Sequence, residues 1–484
     1  VVVKGPGVFR EHLVISKPIS LVAQGHVVIE GTVKFLGGTL FQGFRIENKE
    51  CDHRPVISVD SGTVKIRNCI ISGLATNSMG IIVSNFASEP SIKHVQIYHC
   101  QGNGIVIENH GRGKYAYNAI FDNCGFGMVS RGEAHPQVKR NRIFHNQLSG
   151  LLICEHSRGV FSGNELFSNN MHGVQIEQMA KPFLSRNSIY CNGKSGIALH
   201  DQTRGKLQCN HVFENTDMGI EMKRGVDLLM EGNSIHNNMK TGLYIGDKCT
   251  GKFLGNTIAR NNGNGVEIAD EGDPLFVANT VQGNMGAGVH MYKHARGCIK
   301  GNQIFENLLQ GISIKACSQQ SIVIKENHIF KCNNSGILVY KEGIAQLEKN
   351  VVRDCKRTGI ELRNPKTCVT LLGNQISNCA GFGIYAHDLC TVTMQYNEVS
   401  ESMFDNLRVE SNATVQLLEG NVFQSGHSAG VHVSDSAVLQ EKTKGTNISE
   451  NNQLKDVVGV QLTLDRYPEI RLDQNKLEKV LKMK

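Results

Sequence analysis

A glycine followed by alternating apolar residues returns every 23 residues, and this period constrains the fold more than any other feature of the chain. The segments open at Gly104 (GIVI), Gly127 (GMVS), Gly150 (GLLI), Gly173 (GVQI), Gly196 (GIAL), Gly219 (GIEM), Gly242 (GLYI), Gly265 (GVEI), Gly288 (GVHM) and Gly311 (GISI). The beat continues at Gly336, Gly359, Gly383 and Gly430 with slips of one or two residues, Asn406 standing in at one step. A second period runs in phase. Asn118, Asn141, Asn164, Asn187, Asn210, Asn233, Asn256, Asn279 and Asn302 each open an Asn-x-Ile/Leu/Val motif. Repeats of this length mean a solenoid.

A 23-residue repeat is too short for a helical pair and suits three short strands with three turns. The Gly segments alternate with period two, the strand signature, and so do the Asn segments. A third apolar stretch precedes each Asn, as in Gln137-Val138-Lys139. Strands that pair in parallel with their copies one turn on give an all-β fold. The expectation is a right-handed, single-stranded parallel β-helix, a pectate-lyase-like solenoid. Some seventeen coils spaced by about 4.8 Å predict a rod of roughly 80 Å. Glycine at the strand start suits a positive φ or a close approach between coils. The nine asparagines predict a stacked ladder in which each amide donates to the next side-chain carbonyl. Only Asn333, Asn412 and Asn447 lie in N-x-S/T, so glycosylation does not account for the series.

One period through 484 residues predicts one elongated domain. Residues 1–75 break the beat and read as irregular opening coils, with strands near 1–3, 13–15, 19–22 and 27–29. Residues 76–470 form the regular helix. Residues 471–484 (basic, ending LDQNKLEKVLKMK) form a cap, with a short helix, or a tail. The chain starts in mid-pattern, which predicts more protein upstream. No run of 18 apolar residues occurs, so no membrane span is expected. The net charge of +7 is modest, and aromatic residues are not interleaved with Lys and Arg as in an RNA binder, so no nucleic acid is expected. The fifteen cysteines form no C-x-x-C, which argues against a zinc site. Cys332, Cys355 and Cys379 share one repeat position and predict a buried file of free thiols. This usage suits a reducing compartment, cytoplasm or nucleus.

A 46-residue alternation lies over the shorter beat. Small loops with glycine recur at Gly113, Gly159, Gly205, Gly251, Gly297 and Gly343, while intervening coils carry Pro136 (HPQVKRN), Pro182 (KPFLSRN) and Pro274 (DPLFVAN). This two-coil unit, over roughly residues 75–435, resembles the β-helix region of the animal F-box only proteins ten and eleven. The opening, GPGVFREHLVISKPISLVAQG, is similar to the first coil of that group and of many other β-helix proteins. The resemblance implies substrate recognition by a ubiquitin ligase adaptor. No F-box-like segment and no Cys/His zinc region lies in these residues, so a cullin-ligase core would be engaged only through a segment absent from this chain. A second resemblance is to the Shc-binding spindle protein group, which implies a scaffold in cytokinesis.

Right-handed β-helices also include polysaccharide lyases, hydrolases and epimerases, and fold alone cannot decide. Asn215-Thr216-Asp217 matches one hydrolase-like triplet, but no Asp-Asp pair follows, and Asn215 falls on a corner shared with Asn123, Asn146, Asn169 and Asn192. His427 has no placed carboxylate partner. Glu221, Glu267 and Glu361 lie on the outward side of the Gly strands, two or more coils apart, with Lys223 and Arg363 beside two of them. This reads as a balanced surface and predicts no metal, no cofactor and no catalysis. The same outward face carries Tyr244, His290, Tyr292, Tyr340 and Tyr385, while Val106, Val129 and Leu152 are apolar. With Lys223 and Arg363, the aromatics are the expected binding residues for a protein substrate or scaffold partner.

Overall fold

The computed structural model describes residues 1–50, 54–76, 78–317, 322–434 and 436–441, with the backbone of the strands Asn447–Ile448 and Gln453–Lys455. Among these residues there are strands and no α-helix. The cap or tail expected at 471–484 lies outside them. The chain falls into two units, Val1–Leu243 and Tyr244–Lys484, both built on one plan.

Three strands form each coil. In the first unit Gln137–Lys139 contributes to a first wall, Arg142–Phe144 to a second and Leu151–Ile153 to a third. Each pairs in parallel with the strand one repeat on, Val138 beside Phe161, Ile143 beside Leu166 and Leu151 beside Val174. In the second unit Asp273–Val277, Thr280–Gln282 and Val289–Met291 pair likewise with Cys298–Lys300, Gln303–Phe305 and Ile312–Lys315. The short first- and second-wall strands turn only their middle residue inward. Third-wall strands turn both flanking residues inward and the middle one out, as Val174, Gln175 and Ile176 show. The interior is therefore files of Ile, Val, Leu and Phe, each nearly inaccessible to solvent. A fully buried aliphatic contributes about 1.5–3 kcal/mol.

The asparagine ladder forms as expected. Asn118 Nδ2 donates to Asn141 Oδ1 at 2.9 Å, and Asn141, Asn164, Asn187 and Asn210 each pass the bond to the next. In the second unit the chain runs Asn256, Asn279, Asn302, Asn327, Asn350, Asn374, Asn397, Asn421. Each rung also satisfies backbone groups. Asn210 Oδ1 accepts from Asn187 N at 3.1 Å, and its amide reaches Leu184 O at 3.1 Å. The next corner carries a second ladder through Asn123, Asn146, Asn169, Asn192, Asn215 and Asn238. Asn215 of the hydrolase-like triplet is thus a buried rung.

The repeat glycines answer the second of the two reasons offered for them. Gly219 has an ordinary φ, but a Cβ there would lie 2.4 Å from Ile235 Cγ2 and 2.6 Å from Gly242 O. Positive φ falls instead on the residue before each ladder asparagine, whatever its type: Tyr117, Arg140, Arg186 and Cys209 lie between 53° and 58°. The two-coil alternation has its own cause. Gly159 (φ +123) stands over Pro136, whose carbonyl would be 2.7 Å from an added Cβ, and Gly205 stands likewise over Pro182.

The opening residues already form coils of the same three walls. Val2 pairs with Val22, Gly7 with Val27 and Leu13 with Val33, a 20-residue step; Lys65 pairs with Ser91, a 26-residue step, before the beat settles at 23. What differs there is turn length.

Candidate functional site

The outer face of the third wall is recessed. Beyond the two opening coils, where Val14 and Lys34 are exposed, its outward residues are buried or half-buried, whereas the flanks of first-wall strands such as Lys65 and Arg67 are exposed. Val106 and Val129 are buried on this face, Leu152 is half-buried and Gln175 receives a bond from Ser149 Oγ at 3.1 Å. In the first unit Lys223 pairs with Glu221, and Ser195 Oγ reaches the same carboxylate at 3.4 Å. Burial lowers the imidazole pKa values of His172 and His200, opposed in each by the Glu221 charge.

The aromatics expected to stand exposed in a file do not. In the second unit Tyr244 is only 8% exposed and its hydroxyl lies 3.3 Å from Asp270 Oδ2. Tyr292 donates to Glu267 Oε2 at 3.2 Å, and Asn264 Nδ2 donates to Glu267 Oε1 at 2.8 Å. Burial, then Glu267, pushes the Tyr292 phenol up to about 12. His290 stacks on Tyr292 at 4.9 Å, and burial lowers its pKa. The reason is geometric: outward side chains of neighbouring coils are close enough to bond one another, so Tyr takes the adjacent carboxylate as its partner.

A second cluster lines an open cleft of about 480 Å³. Tyr340 lies under Arg363, whose guanidinium is 5.5 Å from the ring. Glu361 accepts from Ser335 Oγ at 2.7 Å, with Arg363 Nη1 at 3.5 Å and His387 Nε2 at 3.7 Å. Burial alone would raise this carboxyl, but His387, Ser335 and Arg363 together hold it below its usual range. Tyr385 stacks on His387 at 4.1 Å and donates to Glu410. The corner before the glycine forms the rim. It supplies Lys356 and Arg357, then Phe382, then Phe404, which is 53% exposed. Lys356 and Arg357 have no ion pair among the described residues.

Sequence reading therefore brought Arg363, Tyr340 and Tyr385 to one place but missed what joins them. Glu410 and the rim phenylalanines carried only a weak repeat signal: the Glu410 position holds Glu again at 108 and 177, the Phe382 position holds Phe again at 126, and the other coils vary there. It also missed an aromatic stack on the second wall of the first unit. Tyr98, Phe121, Phe144, Phe167, Tyr190, Phe213 and His236 stack in series, 4.9–5.2 Å apart. An aromatic three residues after each ladder asparagine was the available signal. These rings cover one another's faces and present edges, so they stiffen the wall without offering a platform for a sugar or base. Among the described residues no three His, Cys, Asp or Glu side chains form a group able to hold a metal.

A family model for the right-handed beta helix region matches residues 37–181, 131–280, 172–318 and 310–477. None of the curated proteins compared matches the chain. Solved structures of similar fold include the Vag8–C1 inhibitor complex, 12% identical over 91% of this chain and 100% of that one, with a TM-score of 0.50. The periplasmic alginate epimerase AlgG is 16% identical over 55% and 72%, TM-score 0.42. The PL6 family alginate lyase AlyGC is 11% identical over 93% and 97%, TM-score 0.40. At such identities the likeness is one of fold.

Proposed function

This chain belongs to the right-handed β-helix family, and from that premise we propose that it is a non-catalytic recognition protein. It holds an extended protein segment against the third wall, as the substrate-binding part of an F-box-type ubiquitin ligase adaptor. The observation that carries the reading is the cleft beside Glu361. Its floor is a set of side chains bonded to one another, and its rim sets Phe382 and Phe404 beside Lys356 and Arg357. An exposed phenylalanine, Phe404, packed on half-buried Phe382 next to a guanidinium is the composition of a protein-binding hot spot. The polar floor groups hold their protons in fixed partnerships, Tyr385 on Glu410 and Ser335 on Glu361, which suits a preformed surface. The resemblance of the two-coil unit supports the ligase role; a scaffold of the Shc-binding spindle type would use the same face. Free cysteines throughout the described residues support a reducing compartment, cytoplasm or nucleus.

One observation favours a second reading, a carbohydrate-active site. His387 lines the cleft, and its Nε2 is buried without a hydrogen bond 3.7 Å from Glu361, with Arg363 at hand for a uronate carboxylate. Capture from lysate tests both. The native chain is compared with a Phe382→Ser/Arg357→Glu/Phe404→Ser variant of equal melting temperature. Proteins held by the native chain, lost by the variant and bound again as purified partners support recognition, and their identity separates ligase from scaffold. Equal capture rejects this face. Turnover of alginate by the native chain but not by His387→Gln replaces the first reading with the second.

A further inference from the structure

The first wall of the first unit carries a separate feature. Between residues 63 and 158 it borders an open trough of about 820 Å³. The outward residues of its strands Lys65–Arg67, Ser91–Lys93, Lys114–Ala116 and Gln137–Lys139 include five cations and no acid. Arg158 stands at the rim. None of these six has an ion-pair partner among the described residues. The two acids lining the trough sit beside basic groups that line it too, Glu89 3.6 Å from Arg112 and Glu133 3.5 Å from the His110 ring.

The same wall treats its cations differently elsewhere. Lys206 meets Glu231 at 2.7 Å, Lys300 meets Glu326 at 3.6 Å and Lys325 meets Glu348 at 2.7 Å, each across neighbouring coils. A carboxylate one coil away neutralises each of these three outward lysines, whereas among the described residues none faces Lys65, Lys93 or Lys114 in the trough. Four adjacent strands span only about 14 Å. Their charges repel one another over distances comparable with the screening length of about 8–10 Å in physiological salt. A bound polyanion would relieve that repulsion.

We propose that this trough is a docking surface for an extended, Asp/Glu-rich protein segment. The proposal is independent of the third-wall reading, since it concerns another wall. Charge complementarity fixes the sign of the partner. The trough offers poor stacking for nucleic acid bases: its exposed rings are Phe86, one face of which Arg112 covers at 4.7 Å, and the small imidazoles of His110 and His135. The cations are mostly lysines, compact charges on flexible stems, with no convergent arginine forks for a fixed sulfate or phosphate. Mobile point charges in two columns suit carboxylates spaced along a polypeptide.

The test is fluorescence anisotropy of the full chain with a labelled oligoglutamate peptide at low and physiological ionic strength. A Lys65→Glu/Lys93→Glu/Lys114→Glu/Arg158→Glu variant is compared with a charge-matched control, Lys181→Glu/Arg186→Glu/Lys194→Glu/Arg204→Glu. Single-stranded oligonucleotide and alginate oligomers of equal charge serve as rival probes. The expected result is salt-sensitive peptide binding that weakens roughly 100-fold in the trough variant and hardly changes in the control. Equal loss in both variants would reduce the effect to net charge and overturn the proposal. So would oligonucleotide or alginate binding as tightly as the peptide, or no peptide binding at low salt.

Discussion

In the first unit the corner before the glycine strand holds asparagine at 123, 146, 169, 192, 215 and 238; in the second it holds asparagine at 261, 284 and 307, then cysteine at 332, 355 and 379, and serine at 402. The backbone repeats in both regions, but the side chains do different work. Asn192 accepts from Asn169 N at 3.1 Å and Asn169 Nδ2 at 3.0 Å, and its amide reaches Asn215 Oδ1, Leu166 O and Tyr190 O. Cys355 Sγ keeps the equivalent of the last contact, to Arg353 O at 3.5 Å, and in place of amide rungs meets only the thiols of Cys332 and Cys379. Its contact with Cys332, then burial, raises the thiol above its ordinary range, so it is a poor nucleophile. A coil corner thus needs a small buried side chain, and Ser402, whose Oγ is buried without a hydrogen bond, shows that even the contact with the carbonyl two residues back is dispensable. The cross-coil ladder adds stability without being required for the path of the chain.

The largest expected effect comes from what both regions share. The close approach at the repeat glycine is the same beside asparagine or cysteine: a Cβ on Gly288 would meet Asn307 Nδ2 at 2.9 Å, and one on Gly311 would meet Cys332 Sγ at 3.1 Å. Gly219→Val should therefore cost about 3 kcal/mol or more, read as a fall in urea midpoint; a loss below about 1 kcal/mol would show that the coils can spread. Next comes the difference between the corners. Asn192→Ala leaves the Asn169 amides, the Asn215 carbonyl and two backbone carbonyls short of partners and should cost about 2–3 kcal/mol. Cys355→Ala removes a small apolar group and a weak hydrogen bond, and should cost about 1 kcal/mol. Equal losses would mean that the ladder contributes only packing.

Period-two alternation and the 23-residue spacing made the walls, the first ladder and the thiol file legible before any coordinates. They did so because those features depend on positions that must recur in every coil. The opening coils read as irregular only because the step from coil to coil varies between 17 and 26 residues while the strands stay in place. The candidate site was half legible. Counting positions from the glycine put Glu361, Arg363, Tyr340 and Tyr385 on one wall, but Tyr244 was expected to be exposed and is buried against Asp270. Periodicity assigns a side chain to a face; it does not say how far neighbouring corners overhang that face or which outward groups bond across coils. The trough on the first wall was invisible for a related reason. A net charge of +7 averages over paired and unpaired cations alike, and pairing across coils is a property of the register.

The smallest expected effect tests whether the third wall is as recessed as it looks, using His290. Burial lowers its pKa, opposed by Glu267 and reinforced by the Lys315 charge, with Tyr292 packed on the ring. An imidazole whose folded pKa lies below its unfolded value near 6.5 favours folding when neutral. The unfolded chain then binds the proton more readily, so this contribution is complete above the unfolded pKa and is lost as pH falls from about 6.5 toward the folded pKa. His172 and His200 share the sign, so the native protein should lose urea midpoint between pH 7.5 and 5.5, and His290→Gln should lose less of it. If His290→Gln retains the whole pH dependence, the ring is solvated. The third wall would then be an ordinary solvated sheet face, no more sheltered than the first.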